Sequence, residues 1–263
     1  EVNTRIQVEH PVTEEIYGVD LVAWMLRLAL GERDVVHEPG PPHGHAVEAR
    51  LYAEDPSREH RPSAGLLTRV EFPTGVRVDG WVETGTEVTT SYDPMLAKII
   101  AYGPDRATAL RKLRAALAET VTLGVQTNAG FLRRLLAHPD VVKGELDTGL
   151  VERVVDDLVS ADVPEEVYEA AAAVRLSQLQ PEGDCWTDPF SVPSGWRMGG
   201  SGFTKAVAFP LRATGLEPVT HQNRGTHTVT ADQVTVTLDG VRHTFHRAAD
   251  WIGRDGDAWH VRD

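Results

Sequence analysis

The stretch Glu1-Val2-Asn3-Thr4-Arg5-Ile6-Gln7-Val8-Glu9-His10-Pro11 decides the fold. Read as a β-strand, it sends alternate side chains to opposite faces. Glu1, Asn3, Arg5, Gln7 and Glu9 then share one face, and Val2, Ile6 and Val8, with Thr4 and His10, take the other. The second face is mainly apolar and suits packing on a core. The first is a row of carboxylates, amides and a guanidinium, side chains suited to hard-cation ligation, anion binding and proton abstraction. An exposed edge strand with its polar face in water has the same alternation, so the pattern alone leaves both readings open.

The order of the residues is more specific. Glu-x-Asn-Thr-Arg-x-Gln-Val-Glu-His-Pro closely resembles the active-site signature of the biotin carboxylases, which are ATP-grasp enzymes, and the chain continues to resemble them in order and spacing to about residue 153. A second signature stretch runs from His45 to Pro56 and also reads as a strand. Its polar face carries Glu48, Arg50, Tyr52 and Glu54, and its other face His45, Val47, Ala49, Leu51 and Ala53. An Arg among Glu residues on a strand is commonly a cross-strand ion pair of little energetic weight. By resemblance, Arg50 is instead the arginine that reaches bicarbonate and biotin, a task suited to a planar, permanently charged fork.

The resemblance implies a two-step reaction: ATP activates bicarbonate as carboxyphosphate, and the carboxyl group passes to the ureido nitrogen of biotin. It implies ATP, Mg²⁺ (or Mn²⁺) and biotin held on a separate carrier domain. It places Glu1 and Asn3 on the metal, with Glu1 also at ATP. Arg5 binds bicarbonate, Gln7 and the backbone of Val8 position it, Glu9 is the general base, and Arg50 stabilises the biotin enolate. On a regular strand Arg5 and Glu9 stand about 13 Å apart at the backbone. Long side chains bending toward one anion, or a break in the strand near Val8, must close that distance.

At 263 residues the chain has room for about two domains. A net charge of −13 argues against nucleic acid or an anionic membrane as the main partner. Cys185 is the single cysteine, which excludes an internal disulfide and a multi-cysteine zinc site and fits a reducing, cytoplasmic setting. The apolar stretch at 21–30 is too short and too charged to span a membrane, and no signal peptide is visible. Opening inside a motif and without Met, the sequence is expected to be part of a longer polypeptide and inactive by itself.

In chain order, Pro11 should end the strand and Thr13 should cap a short helix begun by Glu14 and Glu15. A helix over 19–30, stopped by Gly31, should bury Leu21, Trp24, Met25 and Leu28. Residues 33–44 form a Pro- and Gly-rich connector. Short strands are expected at 67–72, 76–78, 87–90 and 99–102. Asp93 and Lys98 are candidate ionic contacts, with local structure as the alternative. Asp105 should cap an amphipathic helix to Glu119, and Thr127-Asn128 should open another. Residues 158–164 read as a linker into an Ala-rich helix, Glu165–Leu179.

The stretch 184–197 is aromatic and turn-rich, and resembles the segment that follows the biotin carboxylase domain in acyl-CoA carboxylase α subunits. Beyond Gly195 the chain reads as all β, with Asp239-Gly240 a strong hairpin turn and a small barrel the expected outcome. His221, His227, His243, His246 and His260 fit no compact metal-ligand spacing and read as surface or structural residues.

The expected fold is therefore α+β: the C-terminal part of an ATP-grasp biotin carboxylase, a mixed sheet with helices, then a helix and a small antiparallel β-barrel. The expected division is 1–32 (end of the ATP-grasp domain), 33–155 (biotin carboxylase C-terminal domain) and 156–263 (helix plus barrel linker domain). The resemblance implies three partners: the biotin carrier domain, the carboxyltransferase β subunit, and a second copy through the carboxylase domain. The alternative is a non-catalytic assembly module for α–α and α–β contacts. Pyruvate carboxylase, with an α/β barrel after this domain, is disfavoured by the all-β tail. Urea carboxylase stays open, and the acyl-CoA substrate is not written in the chain.

Overall fold

A computed structural model of the protein describes residues 2–35, 40–159, 162–179 and 207–262. The expectations for Glu1, Cys185 and the stretch 184–197 lie outside these residues.

The opening segment is not a strand. Residues 2–9 have no regular structure, with bends at Thr4 and Arg5 and a turn at Val8 and Glu9. The turn is closed by backbone bonds from His10 N to Gln7 O and from Val12 N to Glu9 O. Pro11 does not end an element but begins one, sitting in the first turn of helix α1 (His10–Tyr17), where its missing N–H costs nothing. The cap position belongs to Glu9, not Thr13. The alternation that reads as a strand therefore belongs to a segment with no ladder partner among the described residues.

Helix α2 (Leu21–Ala29) follows, capped by Asp20, whose side chain accepts from Ala23 N at 2.7 Å. None of its residues is buried, and Leu26 and Leu30 are 58 % and 82 % exposed. The expected core packing of this helix is thus not made by any described element.

The platform of the first part is a three-stranded antiparallel sheet of β1 (His45–Tyr52), β8 (Met95–Gly103) and β6 (Arg77–Gly80), with β8 central. Between them lie the short strands β2 (Glu54–Asp55), β3 (Arg61–Pro62), β4 (Gly65–Leu66), β5 (Arg69–Glu71) and β7 (Glu87–Val88). The single run expected at 67–72 is split, with Leu67 buried beside β5. Alternation along the platform sends Ala49, Leu51, Ala97 and Ile99 into a core. That core is roofed by α3 (Arg106–Glu119) through Leu113, Ala116 and Leu117. Asp105 caps α3 by accepting from Thr108 N. Strand β9 (Val121–Leu123), not foreseen, pairs with β5. Helices α4 (Ala129–Leu135), α5 (Pro139–Lys143) and α6 (Leu150–Leu158) close this part around Phe131, Val141 and Val154. A mixed sheet was expected here; every described ladder is antiparallel.

The second part is one curled sheet around one helix. Helix α7 (Glu165–Leu179) is buried at every residue from Val167 to Val174. A helix covered on all sides is expected to be largely apolar; apart from Glu169 the buried stretch is so, and the run Ala170–Ala173 keeps it thin enough for strands to close in. Around it run β10 (Ala208–Ala213), β11 (Val219–Gln222), β12 (Thr226–Val229), β13 (Gln233–Leu238), β14 (Val241–Ala248), β15 (Trp251–Arg254) and β16 (Asp257–Arg262). They form a single antiparallel sheet in the order β11-β10-β16-β15-β14-β13-β12. The core joins Leu211, Val234, Val236 and Phe245 to the alanines of α7. Asp239 and Gly240 turn β13 into β14 with φ of +50° and +80°, the left-handed pair that matches strand twist in a two-residue hairpin. The two sheet edges, β11 and β12, are joined by Asn223-Arg224-Gly225.

Candidate functional site

The polar face of the platform carries a charged row across its three strands. Arg50 on β1 stands opposite Lys98 on β8, and Lys98 opposite Asp79 on β6. Adjacent cations on one sheet face repel unless carboxylates intervene. Here Lys98 pairs with Asp79 at 3.3 Å. Arg77 pairs with both Asp79, at 2.9 Å, and the buried Glu14 of α1, at 2.8 Å. Burial works against the charge of Asp79, but hydrogen bonds from Arg77 and the nearby Lys98 outweigh it and hold its carboxyl below the ordinary 3.8. Glu14 also accepts from Leu21 N, tying the start of α2 to the same cluster. Of the two candidate ionic contacts, Lys98 makes one; Asp93 accepts from Met95 N and is a local turn contact.

This face holds the opening segment in place. Lys98 Nζ donates to Val8 O at 3.2 Å. Arg50 Nη2 donates to Glu9 Oε2 at 2.8 Å, across 41 positions of sequence. From behind, Asn128 clamps the end of β1: its Oδ1 accepts from Tyr52 N, and its Nδ2 donates to Arg50 O and Glu54 Oε1. Glu48 lies beside Arg50, its Oε1 3.6 Å from Arg50 Nε, with a side chain only 5 % exposed. Burial pushes its carboxyl above the ordinary 4.5, against the pull of Lys98 and Arg50.

Asn3, Arg5, Gln7 and Glu9 come together on an open depression of about 290 Å³, whose wall includes His10 and Thr13. The bends at Thr4 and Arg5 and the turn at Val8 and Glu9, not side-chain reach along a strand, let Arg5 and Glu9 line the same depression. The lining combines a guanidinium, two amides and a carboxylate. Val8 presents its carbonyl to Lys98, and Arg50 lies across the segment at Glu9. The sequence therefore names residues that the structure assembles. It does not by itself disclose the supports Lys98, Asn128 and Glu48: Lys98 carried only a bare charge signal, Asn128 read as a helix start, and Glu48 as one rung of a ladder.

Asn3 offers an amide oxygen of the kind a hard cation accepts. No group of three or more His, Cys, Asp or Glu among the described residues could hold a metal ion. The described residues thus supply at most part of a coordination set.

Known proteins match the same layout. Residues 1–34 match the model of the carbamoyl-phosphate synthase L chain ATP-binding domain. Residues 48–153 match the biotin carboxylase C-terminal domain, and 164–263 the BT domain of the methylcrotonyl-CoA carboxylase alpha subunit. The alpha subunit of mitochondrial methylcrotonoyl-CoA carboxylase from Mus musculus is 40 % identical over 211 residues, covering 75 % of this chain and 29 % of that one. Urea amidolyase of Saccharomyces cerevisiae is 46 % identical over 152 residues, covering 57 % and 8 %.

Among solved structures, the biotin carboxylase domain dimer of Hydrogenobacter thermophilus 2-oxoglutarate carboxylase, in complex with MgADP, ADP and bicarbonate, superposes with a TM-score of 0.58 at 36 % identity. It covers 61 % of this chain and 36 % of that one. Fold and matches together define a chain of the biotin carboxylase class. More narrowly, the chain belongs to the biotin carboxylase family, among the acyl-CoA carboxylase α subunits that carry a BT domain. It spans about a third or less of the length of these relatives.

Proposed function

We propose that this chain serves the ATP-dependent carboxylation of biotin by bicarbonate, as the C-terminal part of the biotin carboxylase of an acyl-CoA carboxylase α subunit. The observation that carries the reading is the Arg50–Glu9 pair at 2.8 Å beside the depression lined by Asn3, Arg5 and Gln7. Arg5 and the Gln7 amide would bind the bicarbonate anion. Glu9 would accept its hydroxyl proton at a side-chain oxygen, which requires Arg50 to leave Glu9 free for that moment. Arg50, with its charge fixed, would then stabilise the negative charge that builds on the biotin ureido oxygen. ATP and Mg²⁺ (or Mn²⁺) belong to this reading, with Glu1 and Asn3 toward the metal and Glu1 toward ATP. The bound MgADP and bicarbonate of the 2-oxoglutarate carboxylase relative support this assignment.

The same reading divides the chain at 1–32, 33–155 and 156–263, a division supported by the three family-model matches. It takes a biotin carrier domain, a carboxyltransferase β subunit and a second copy as partners, in the cytoplasm. No described helix is long and apolar enough to cross a membrane. The BT-domain match favours an acyl-CoA carboxylase over a urea carboxylase. It also favours the second reading, an assembly module that docks subunits without doing chemistry.

The two are separated by assaying bicarbonate-dependent ATP hydrolysis with free biotin in the full-length protein, beside Arg5→Ala, Glu9→Gln and Arg50→Ala. Biotin-stimulated turnover that falls at least 100-fold in Glu9→Gln supports the enzyme. Turnover indifferent to biotin and bicarbonate supports the assembly module.

A further inference from the structure

We propose that Glu48 is a positioning residue for Arg50, gripping its guanidinium from behind so that Arg50 keeps its aim when Glu9 lets go. This rests on the role given to Arg50 above. The guanidinium lies between two carboxylates on different edges: Glu9 Oε2 is 2.8 Å from Nη2, and Glu48 Oε1 is 3.6 Å from Nε. The two carboxylates differ in every other respect. Glu9 is 56 % exposed and sits on a segment without a strand ladder, whereas the Glu48 side chain is 5 % exposed on the central part of β1. Glu9 is therefore the partner that can release Arg50, and Glu48 the one that stays.

Stability alone does not account for Glu48. Its Oε2 is buried with no hydrogen-bond partner among the described residues, an arrangement that ordinarily weakens a fold. Buried polar atoms left unmatched in this way call for an explanation beyond packing. The other cations on this face are already engaged, Lys98 by Val8 O and Asp79, and Arg77 by Asp79 and Glu14. Arg50 is the cation within ion-pair distance of Glu48 among the described residues. A guanidinium held only by Glu9 would be free to swing once the pair opens, and small misplacements of a charged group cost large factors in rate.

The test uses the full-length protein and biotin-stimulated ATP hydrolysis with free biotin. Glu48→Leu fills the buried site with an apolar side chain of similar bulk and removes the acceptor. Its kcat is expected to fall at least 10-fold, with an unchanged KM for ATP and a melting midpoint that does not drop. Glu48→Gln keeps an acceptor and should fall between wild type and Glu48→Leu. Arg50→Lys keeps the charge but lacks the Nε–H, so adding Glu48→Leu to it should change kcat less than 2-fold.

The proposal is overturned if Glu48→Leu stays within 2-fold of wild type, or if its loss is the same in the Arg50→Lys background. Should Arg50→Lys turn over too slowly to measure, a loss of kcat at constant midpoint supports the proposal, and a loss accompanied by a lower midpoint overturns it. Failure of the underlying reading looks different: wild type then lacks biotin-stimulated turnover, or Glu9→Gln retains it.

Discussion

Glu169 of α7 is 0 % exposed, and its carboxylate accepts from His221 Nε2 and Asn223 Nδ2, both at 2.7 Å, and from the backbone N–H groups of Arg224 and Gly225. Those donors all belong to β11 or to the corner that joins the two free edges of the curled sheet. One buried charge thus satisfies the polar groups at the seam where no ladder runs. Burial alone would raise the Glu169 carboxyl, but the hydrogen bonds from His221, Gly225 and Arg224 outweigh it and hold it below the ordinary 4.5. A depressed carboxylate stabilises the fold fully above its unfolded-state pKa, and that contribution is lost as pH falls below 4.5 and on through the folded value. Glu169→Ala leaves several buried donors unmatched, at ~1–3 kcal/mol each, and is expected to destabilise by about 3 kcal/mol or more in denaturant titrations at neutral pH. The gap between wild type and Glu169→Gln should narrow as pH is lowered from 6 toward 3; a gap that does not depend on pH would contradict this account of the seam.

Elements were legible where a local rule fixed them. Asp105 heading α3, the alanines of α7 and the Asp239-Gly240 turn each carry their own mechanism, and each stands where the sequence places it. The opening segment was misread because its alternation mimics a strand while its backbone has no partner edge among the described residues. What holds it is tertiary: Lys98 at Val8 O and Arg50 at Glu9. None of those distances can be read from spacing, since the partners lie 90 and 41 positions away. Strands β9, β10, β11 and β15 were missed for a related reason. β9, β11 and β15 are only three or four residues long, and β10 carries Pro210 within a plain apolar–polar alternation, so only their neighbours define them. Lys98→Met tests the anchoring directly. It removes the contact to Val8 O and leaves Asp79 without one of its two cations. Amides of residues 4–10 should then exchange with solvent at least 10-fold faster, while those of β1 keep their protection. Equal protection of both segments in the variant would show that Lys98 does not hold the segment.

At the scale of the molecule, polar contacts bridge the first part and the curled sheet. Arg134 on α4 donates to both carboxylate oxygens of Asp257 on β16, at 2.7 and 3.2 Å, and to Leu158 O at 2.6 Å. Gly130 permits the approach: a Cβ there would lie 1.9 Å from Asp257 Oδ1. Nearby, Arg69 of β5 donates to the backbone carbonyls of Asp232 and Arg247 in the curled sheet. These directional bonds are expected to couple the two halves. Arg134→Ala is expected to split thermal unfolding into two calorimetric transitions, and a single unshifted transition would place the coupling elsewhere. The exposed apolar residues of α2 and the depression at Arg5 belong to the opposite end of the chain, at the segment that matches an ATP-binding domain. The carboxylase account stands or falls on the chemistry proposed there. The most direct test is transfer of labelled carboxyl from bicarbonate to free biotin by the full-length protein, with ATP, in wild type and Glu9→Gln. The account predicts labelled carboxybiotin from the wild type and at least 100-fold less from Glu9→Gln at an unchanged melting midpoint. Undiminished labelling by Glu9→Gln, or none by the wild type, would contradict it.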